Sequence, residues 1–337
     1  MTATVPELLA AGGPTFSFEF MPPRNGTPEE EAALWRAIGE VAPLRPAFVD
    51  ITYGAGGARR DLTLRTVERV VAETDLTVVA HLTCVGATAP QLRRMVRRLG
   101  DVGVRTVLAL RGDPPSGPAA EWEPTPGGLD RAEDHVRLVK EEGDFAVGVA
   151  AYPQRHRESP DDEAGVKFFA AKCAAGADFA ITQFFYRARD YVAFVGAARA
   201  AGCTVPVIPG VMPVTGLGQI TRFPELSGNP FDPDLAARLR AAPDAAAVRA
   251  IGVDYATELA RALLAAGAPG IHLYTLNRSS AAREIHRRLL EQPPGDRQGG
   301  HVGRVGPVGE QDGPRRDSGE RYHGDLRVAE GRQGEGG

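Results

Sequence analysis

Short apolar runs alternate with segments of helical composition along most of the chain, and this alternation constrains the fold more than any other feature. The runs are Phe16–Phe20, Phe48–Tyr53, Thr77–Cys84, Thr106–Leu110, Phe145–Ala151, Phe179–Phe185, Val205–Pro209 and Ile271–Thr275, eight in all. Between them lie segments rich in Ala, Leu, Arg and Glu: Pro28–Val41, Leu62–Glu73, Ala89–Leu99, Leu129–Glu142, Glu163–Ala175, Tyr191–Ala201 and Ala247–Ala266. Strands that read as continuous apolar runs, each separated by a helix, belong to parallel sheets covered by helices. Eight such units predict a closed (β/α)8 barrel rather than an open doubly wound sheet, which length alone does not exclude. The stretch from Gly216 to Ala266 is longer than the other crossovers. It predicts extra helices between strands seven and eight, with Pro224, Pro230 and Pro233 as helix breakers.

The pattern ends near Leu290. Residues 292–337 are rich in Gly, Arg, Asp, Glu and Gln and poor in large apolar residues. Such a segment buries too little to offset its ordering entropy. The expected organisation is therefore a catalytic barrel over 1–291 and a disordered tail over 292–337. A net charge of −4 gives no basic field for nucleic acid. The three cysteines, Cys84, Cys173 and Cys203, lie far apart without a CxxC pair, so free thiols are expected rather than disulfides or zinc. Met1 to Pro14 has no basic segment followed by an apolar run, and no stretch reaches the ~20 apolar residues of a membrane span. The expectation is a cytoplasmic protein without membrane or nucleic-acid partners.

In a parallel barrel the chemistry sits at the C-terminal ends of the strands. Polar, aromatic and glycine residues gather there after all eight runs. Two stand out because they interrupt apolar segments: Glu19 in Phe-Ser-Phe-Glu-Phe and Gln183 in Ala-Ile-Thr-Gln-Phe-Phe. A buried carboxylate is costly unless paired or neutralised, and burial raises its pKa toward the range of a general acid at neutral pH. Arg111-Gly112-Asp113 sets opposite charges around a glycine that lets a ligand approach the backbone; a structural ion pair at a loop is the lesser reading. Tyr53-Gly54-Ala55-Gly56-Gly57 lacks the G-x-G-x-x-G spacing, and a tight turn explains it as well as a phosphate does. His81 and His156 lie on different strands without metal-ligand spacing, so no metal is expected.

In order along the chain stand Phe-Ser-Phe-Glu-Phe-Met-Pro-Pro, Thr-Tyr-Gly-Ala-Gly-Gly, His-Leu-Thr-Cys, Ala-Leu-Arg-Gly-Asp, Ala-Tyr-Pro, Ile-Thr-Gln-Phe-Phe, Ile-Pro-Gly-Val-Met-Pro and Tyr-Thr-Leu-Asn-Arg. One motif falls on each predicted strand, and together they resemble bacterial methylenetetrahydrofolate reductases from Phe16 to about Leu290. The resemblance implies flavin-dependent (FAD) reduction of 5,10-methylenetetrahydrofolate to 5-methyltetrahydrofolate with NADH or NADPH, feeding methionine synthesis. It implies Glu19 as the catalytic acid and Asp113 as the aspartate that holds the pterin and tunes the flavin. It implies Gln183 as a glutamine shared by folate and donor, with Gln219, Phe223 and Arg278 also at the substrate. Thr52 matches a donor-site threonine. Tyr53, Ala55, His81, Arg111, Gly112, Ala132, Tyr152, His156 and Lys172 match flavin-contacting positions, Arg111 and Lys172 facing the pyrophosphate. Family members associate, so a homo-oligomer is allowed, and the regulatory domain of eukaryotic members is not expected.

The chain departs from the family pattern at Gln154, where Glu is usual, and at Arg157, where Pro is frequent. It also places Gly165, Phe168 and Ala171 where some members have polar flavin contacts. These departures bear on flavin affinity. A member with weak or no flavin and another hydride donor, and a non-catalytic folate- or flavin-binding barrel, are the alternatives. An aldolase-type barrel would need a lysine at a strand end, and Lys140, Lys167 and Lys172 all fall in helical segments.

Overall fold

The computed structural model describes residues 2–53, 60–117 and 120–291. The predicted tail over 292–337 lies outside the described residues. The strands are β1 (Thr15–Phe20), β2 (Phe48–Ile51), β3 (Val78–Thr83), β4 (Thr106–Leu110), β5 (Ala146–Ala151), β6 (Phe179–Thr182), β7 (Val207–Ile208), β8 (Gly210–Val211) and β9 (Gly270–Tyr274). All pairings are parallel, in the order β7-β6-β5-β4-β3-β2-β1-β9-β8. The predicted seventh strand is thus present as two short pieces. Pro209 divides them because it has no N–H to give to a ladder. Its carbonyl still accepts from His272 N at 3.0 Å. The first piece pairs with β6 and the second with β9, so together they close the ring into a TIM-type (β/α)8 barrel.

Around the strands run α1 (Val5–Ala10), α2 (Pro28–Val41), α3 (Arg60–Glu73), α4 (Ala89–Asp101), α5 (Ala132–Glu141), α6 (Asp162–Ala174), α7 (Ala188–Ala200), α8 (Gln219–Ser227), α9 (Pro233–Arg240), α10 (Ala245–Ala265) and α11 (Ser279–Leu290). Local chemistry sets many of their starts. The Thr27 hydroxyl accepts from Glu30 N, and Pro28 opens α2. Asp161 accepts from Ala164 N, and Asp244 from Ala247 N. The inserted helices after strand seven are α8 and α9. Pro233 begins α9 as expected, but Pro224 lies inside α8 rather than ending it. The helix is only nine residues long and stops four residues later at Gly228 in the left-handed region, so one missing N–H is tolerated.

The apolar seams of the helices bury against the outer faces of the strands, and a second cluster fills the barrel interior at its N-terminal end. There Phe48, Val79, Leu108, Phe179, Ile181 and Ile208 meet Val5 of α1, which covers the floor. The periodicity did not predict α1; a Thr4–Glu7 capping box starts it. Gly148 on β5 makes room for the floor, since a Cβ there would stand 2.4 Å from the Phe179 ring.

Candidate active site

The C-terminal ends of the strands open into a cavity of about 1810 Å³. Single-ligand pockets are on the order of 300–1,000 Å³, so the space suits more than one group at once. Glu19 reaches it from the end of β1. Thr275 holds the local backbone by donating from its hydroxyl to the Glu19 carbonyl at 2.5 Å. Asn277 then clamps the next turn: its Oδ1 accepts from Met21 N and its Nδ2 donates to Met21 O, both at 2.8 Å. Leu276 and Asn277 take positive φ values of 49° and 57° to make this clamp, which stores strain beside the cavity.

Burial raises the Glu19 carboxyl well above the usual range, and the charge of neighbouring Asp50 adds to the effect. Glu19 thus faces the cavity with its proton affinity raised, the direction a general acid needs. Glu19, Asp50 and His81 come from three adjacent strands and bring their polar atoms within 4.8 Å of one another. A search for ligand spacing along the chain has no means of seeing this cluster. Asp50 Oδ2 and His81 Nε2 are joined at 2.6 Å.

On the opposite wall, Tyr152 and His156 meet edge-on with ring centroids 4.7 Å apart. Burial lowers the proton affinity of His156 and raises that of Tyr152 to about 12, so both are neutral near pH 7. Lys172 of α6 is buried and donates to the Ala150 carbonyl at 2.5 Å; desolvation brings its pKa down to about 8. Arg111 lies 4.3 Å over the Trp122 ring and is held by two bonds of 2.6 Å to the Glu158 carboxylate. Between Arg111 and Asp113 the backbone of Gly112 has φ +89°, and a Cβ would stand 2.6 Å from Val85.

Comparison with known proteins decides the family. The family model for methylenetetrahydrofolate reductase matches residues 4–290. The chain is 36% identical over 279 residues to the 5,10-methylenetetrahydrofolate reductase of Escherichia coli K12, covering 82% of this chain and 91% of that one. The chain belongs to the methylenetetrahydrofolate reductase family. It is also 33% identical over 295 residues to the Zea mays protein named methylenetetrahydrofolate reductase (NADH) 1, of which it spans 49%. Among solved structures, a Clostridium thermocellum protein described as binding two copies of 5-methyl-5,6,7,8-tetrahydrofolic acid shares the fold, with TM-score 0.62, 16% identity and coverage of 83% and 95%.

Most residues matched to this family's motifs meet at the one cavity. Glu19, Thr52, Tyr53, His81, Arg111, Gly112 and Asp113 line it from the first four strands. Ala132, Tyr152, His156, Lys172, Gln183, Gln219, Phe223 and Arg278 line it from the rest. Ala55 lies outside the described residues. Three of the placements are informative. Tyr53 turns its hydroxyl away to Met95 Sδ at 3.7 Å. Gln219 spends its Oε1 on Thr215 N and Gly216 N at 2.6 and 2.9 Å, so it caps its own loop. Phe223 is buried and packs on Phe184 with centroids 5.0 Å apart. Among the departures from the family pattern, Phe168 is 48% exposed and Gly165 lies beside it on the wall. Arg157 donates to the Glu225 carbonyl of α8 at 3.0 Å. Gln154 donates to Asp190 at 3.2 Å.

Sequence reading missed Asp50, His272, Glu158 and Trp122. The first two carry the same signal that drew attention to Glu19, a polar residue inside an apolar run: Phe-Val-Asp-Ile and Gly-Ile-His-Leu-Tyr. Glu158 and Trp122 lie in loops and carry no such signal.

Proposed function

We propose that this protein reduces 5,10-methylenetetrahydrofolate to 5-methyltetrahydrofolate, using FAD and a nicotinamide donor. The observation that carries the reading is Glu19, its proton affinity raised by burial and by Asp50, facing a cavity wide enough for two ring systems. The folate-binding fold neighbour and the reductase relatives, one of them named for NADH, support the substrate and the donor. The lining fits a flavin nucleotide: the Thr83 hydroxyl is buried there without a partner, and Gly112 bares the backbone beside it. Arg111, Gly112, His81, Tyr152, His156, Ala132 and Lys172 would hold it, together with Tyr53, Thr52 and Ala55. Bound flavin supplies hydride transfer.

The remaining chemistry belongs to the side chains. Glu19 gives its proton to a ring nitrogen of the substrate, which opens the imidazolidine ring to a reactive iminium. Burial raises the proton affinity of Glu19, which suits it to deliver a proton. Asp113 and Gln183 orient the pterin. Gln219 would have to leave its loop to join Phe223 and Arg278 at the substrate. The donor and folate use the same space in turn, consistent with the absence of a separate dinucleotide fingerprint. In this reading residues 1–291 are the catalytic unit, 292–337 have no catalytic part, the protein is cytoplasmic, and its product feeds methionine synthesis.

The test is a visible spectrum of the purified protein, then anaerobic NADH, then methylenetetrahydrofolate. Bands near ~450 nm that bleach with NADH and return with the folate support the reading. A protein that shows no flavin bands after incubation with FAD and removal of the unbound flavin overturns flavin use, and the apolar Phe168 face would be the first place to look for the reason.

A further inference from the structure

One buried charge beside the candidate acid has no role in the reaction as described so far. Asp50 is 0% exposed. Its Oδ2 is joined to His81 Nε2 at 2.6 Å and lies 3.6 Å from His272 Nε2. Its Oδ1 has no hydrogen-bond partner among the described residues, nor has His272 Nε2. His272 is fixed from its other side by the Ser17 hydroxyl, 2.9 Å from Nδ1. A buried carboxylate with an open oxygen is unfavourable for folding, and a hydrophobic side chain on β2 would serve packing better. The register places Asp50 directly beside Glu19 across the β1–β2 ladder.

We infer that Asp50, braced by His81, is a positioning residue for the acid step: its buried negative charge keeps a proton on Glu19 until a basic atom of the substrate takes it. The inference rests on the reading of Glu19 as the acid. The other groups around Glu19 leave this task to Asp50. From β9 come His272, whose proton affinity burial lowers, and Tyr274, whose phenol burial raises well above its usual value. From the end of β5 comes Tyr152, raised to about 12. All three are uncharged near pH 7. At the rim Arg111 is tied to Glu158, with Asp113 and Arg278 exposed. The influences on the Glu19 carboxyl are its burial and then Asp50. Two carboxyl groups this close oppose each other's ionisation, and Asp50 has the His81 ring as a hydrogen-bond partner at 2.6 Å.

The experiment is an infrared pH titration of the free full-length protein. The carboxylic C=O band of Glu19 is isolated as the difference between wild type and Glu19→Gln, in the Asp50 and the Asp50→Asn backgrounds. In wild type the band persists through neutral pH. In Asp50→Asn it is lost at a pH at least about one unit lower, a tenfold change in proton affinity. The basic limb of the folate half-reaction moves down by the same amount, whereas a merely structural role would lower the rate without moving the limb. Identical Glu19 titrations in both backgrounds overturn the inference. Asp50→Ser, smaller and also uncharged, supplies the same comparison if Asp50→Asn does not fold. An infrared shift in a protein without reductase activity overturns the functional reading instead, so the two failures are distinct.

Discussion

The two ends of this barrel use the same strands for opposite purposes. On β2, Phe48 packs into the floor while Asp50, two residues on, stands in the cavity. On β3 the pair is Val79 and His81, and on β6 it is Phe179 and Ile181 followed by Gln183. A strand repeats its facing every two residues, so a single step of about 6.6 Å carries the interior from dry packing to chemistry. At the floor the cluster is apolar and covered by α1. At the mouth Asp50 Oδ1, Thr83 Oγ1 and His272 Nε2 have no partners among the described residues. The difference teaches that stability is held at one end so that unfavourable polar groups can be held at the other.

Substitutions at the two ends should therefore separate activity from stability. The largest effect is expected at the mouth. Glu19→Gln keeps flavin reduction by the donor and loses folate reduction by about 10²–10⁴-fold, the usual contribution of a general acid. Stopped-flow absorbance resolves the two half-reactions, and an equal loss in both would remove Glu19 from the acid role. The same variant should also be more stable relative to wild type as pH rises. Glu19 binds its proton more tightly folded than unfolded, so wild-type stability falls with pH from about 4.5 upward, and the glutamine has no proton to lose.

At the floor, Phe179→Ala is expected to cost about 3–5 kcal/mol, because its ring fills the space beside Gly148 and the void cannot easily collapse. Urea unfolding measures this, and turnover per folded molecule should stay near wild type. A change in turnover as large as that of Glu19→Gln would break the division between the ends. Below these comes acid sensitivity. His135 on α5 is fully buried, and desolvation lowers its pKa to about 4 from 6.5. It binds fewer protons folded than unfolded, so its stabilisation is present above pH 6.5 and is lost as pH falls toward 4. The window is worth about 3 kcal/mol. His135→Asn should flatten the wild-type stability profile across that window, read by thermal melts at several pH values. The smallest effect is Val5→Ala, which thins the contact of α1 with the floor for about 1–2 kcal/mol. It leaves the rate unchanged, and a loss of folate reduction would couple the two ends.

Within the candidate site, legibility followed the degree of contrast with the neighbours. Glu19 and Gln183 were conspicuous in their apolar runs. Asp50 and His272 sit in runs just as apolar, but their contrast acquires meaning only once they are seen beside Glu19 and each other. In a parallel barrel both faces of a strand are buried, so the alternation that would reveal an inward-facing residue is largely erased. The clamp from Asn277 to Met21 was hidden for a different reason: its partners are 256 residues apart. The single break in the strand pattern, at Pro209, was visible as a proline. Its consequence, a seventh strand in two pieces, depended on which neighbours each piece found.

The sequence by itself determined the number and order of the strand–helix units, the inserted helices after strand seven and the end of the chain's apolar periodicity near Leu290. These follow from local hydrophobic spacing and capping residues, which act over a few turns. Its motifs also pointed to the reductase family. The tertiary structure alone decided that Asp50 joins His81 beside Glu19, that Arg111 is held by Glu158 over Trp122, and that Gln219 caps its own loop. Those are contacts between separate strand ends and loops. Closing the ring sets their distances, and their electrostatics depend on how much water the closed ring excludes.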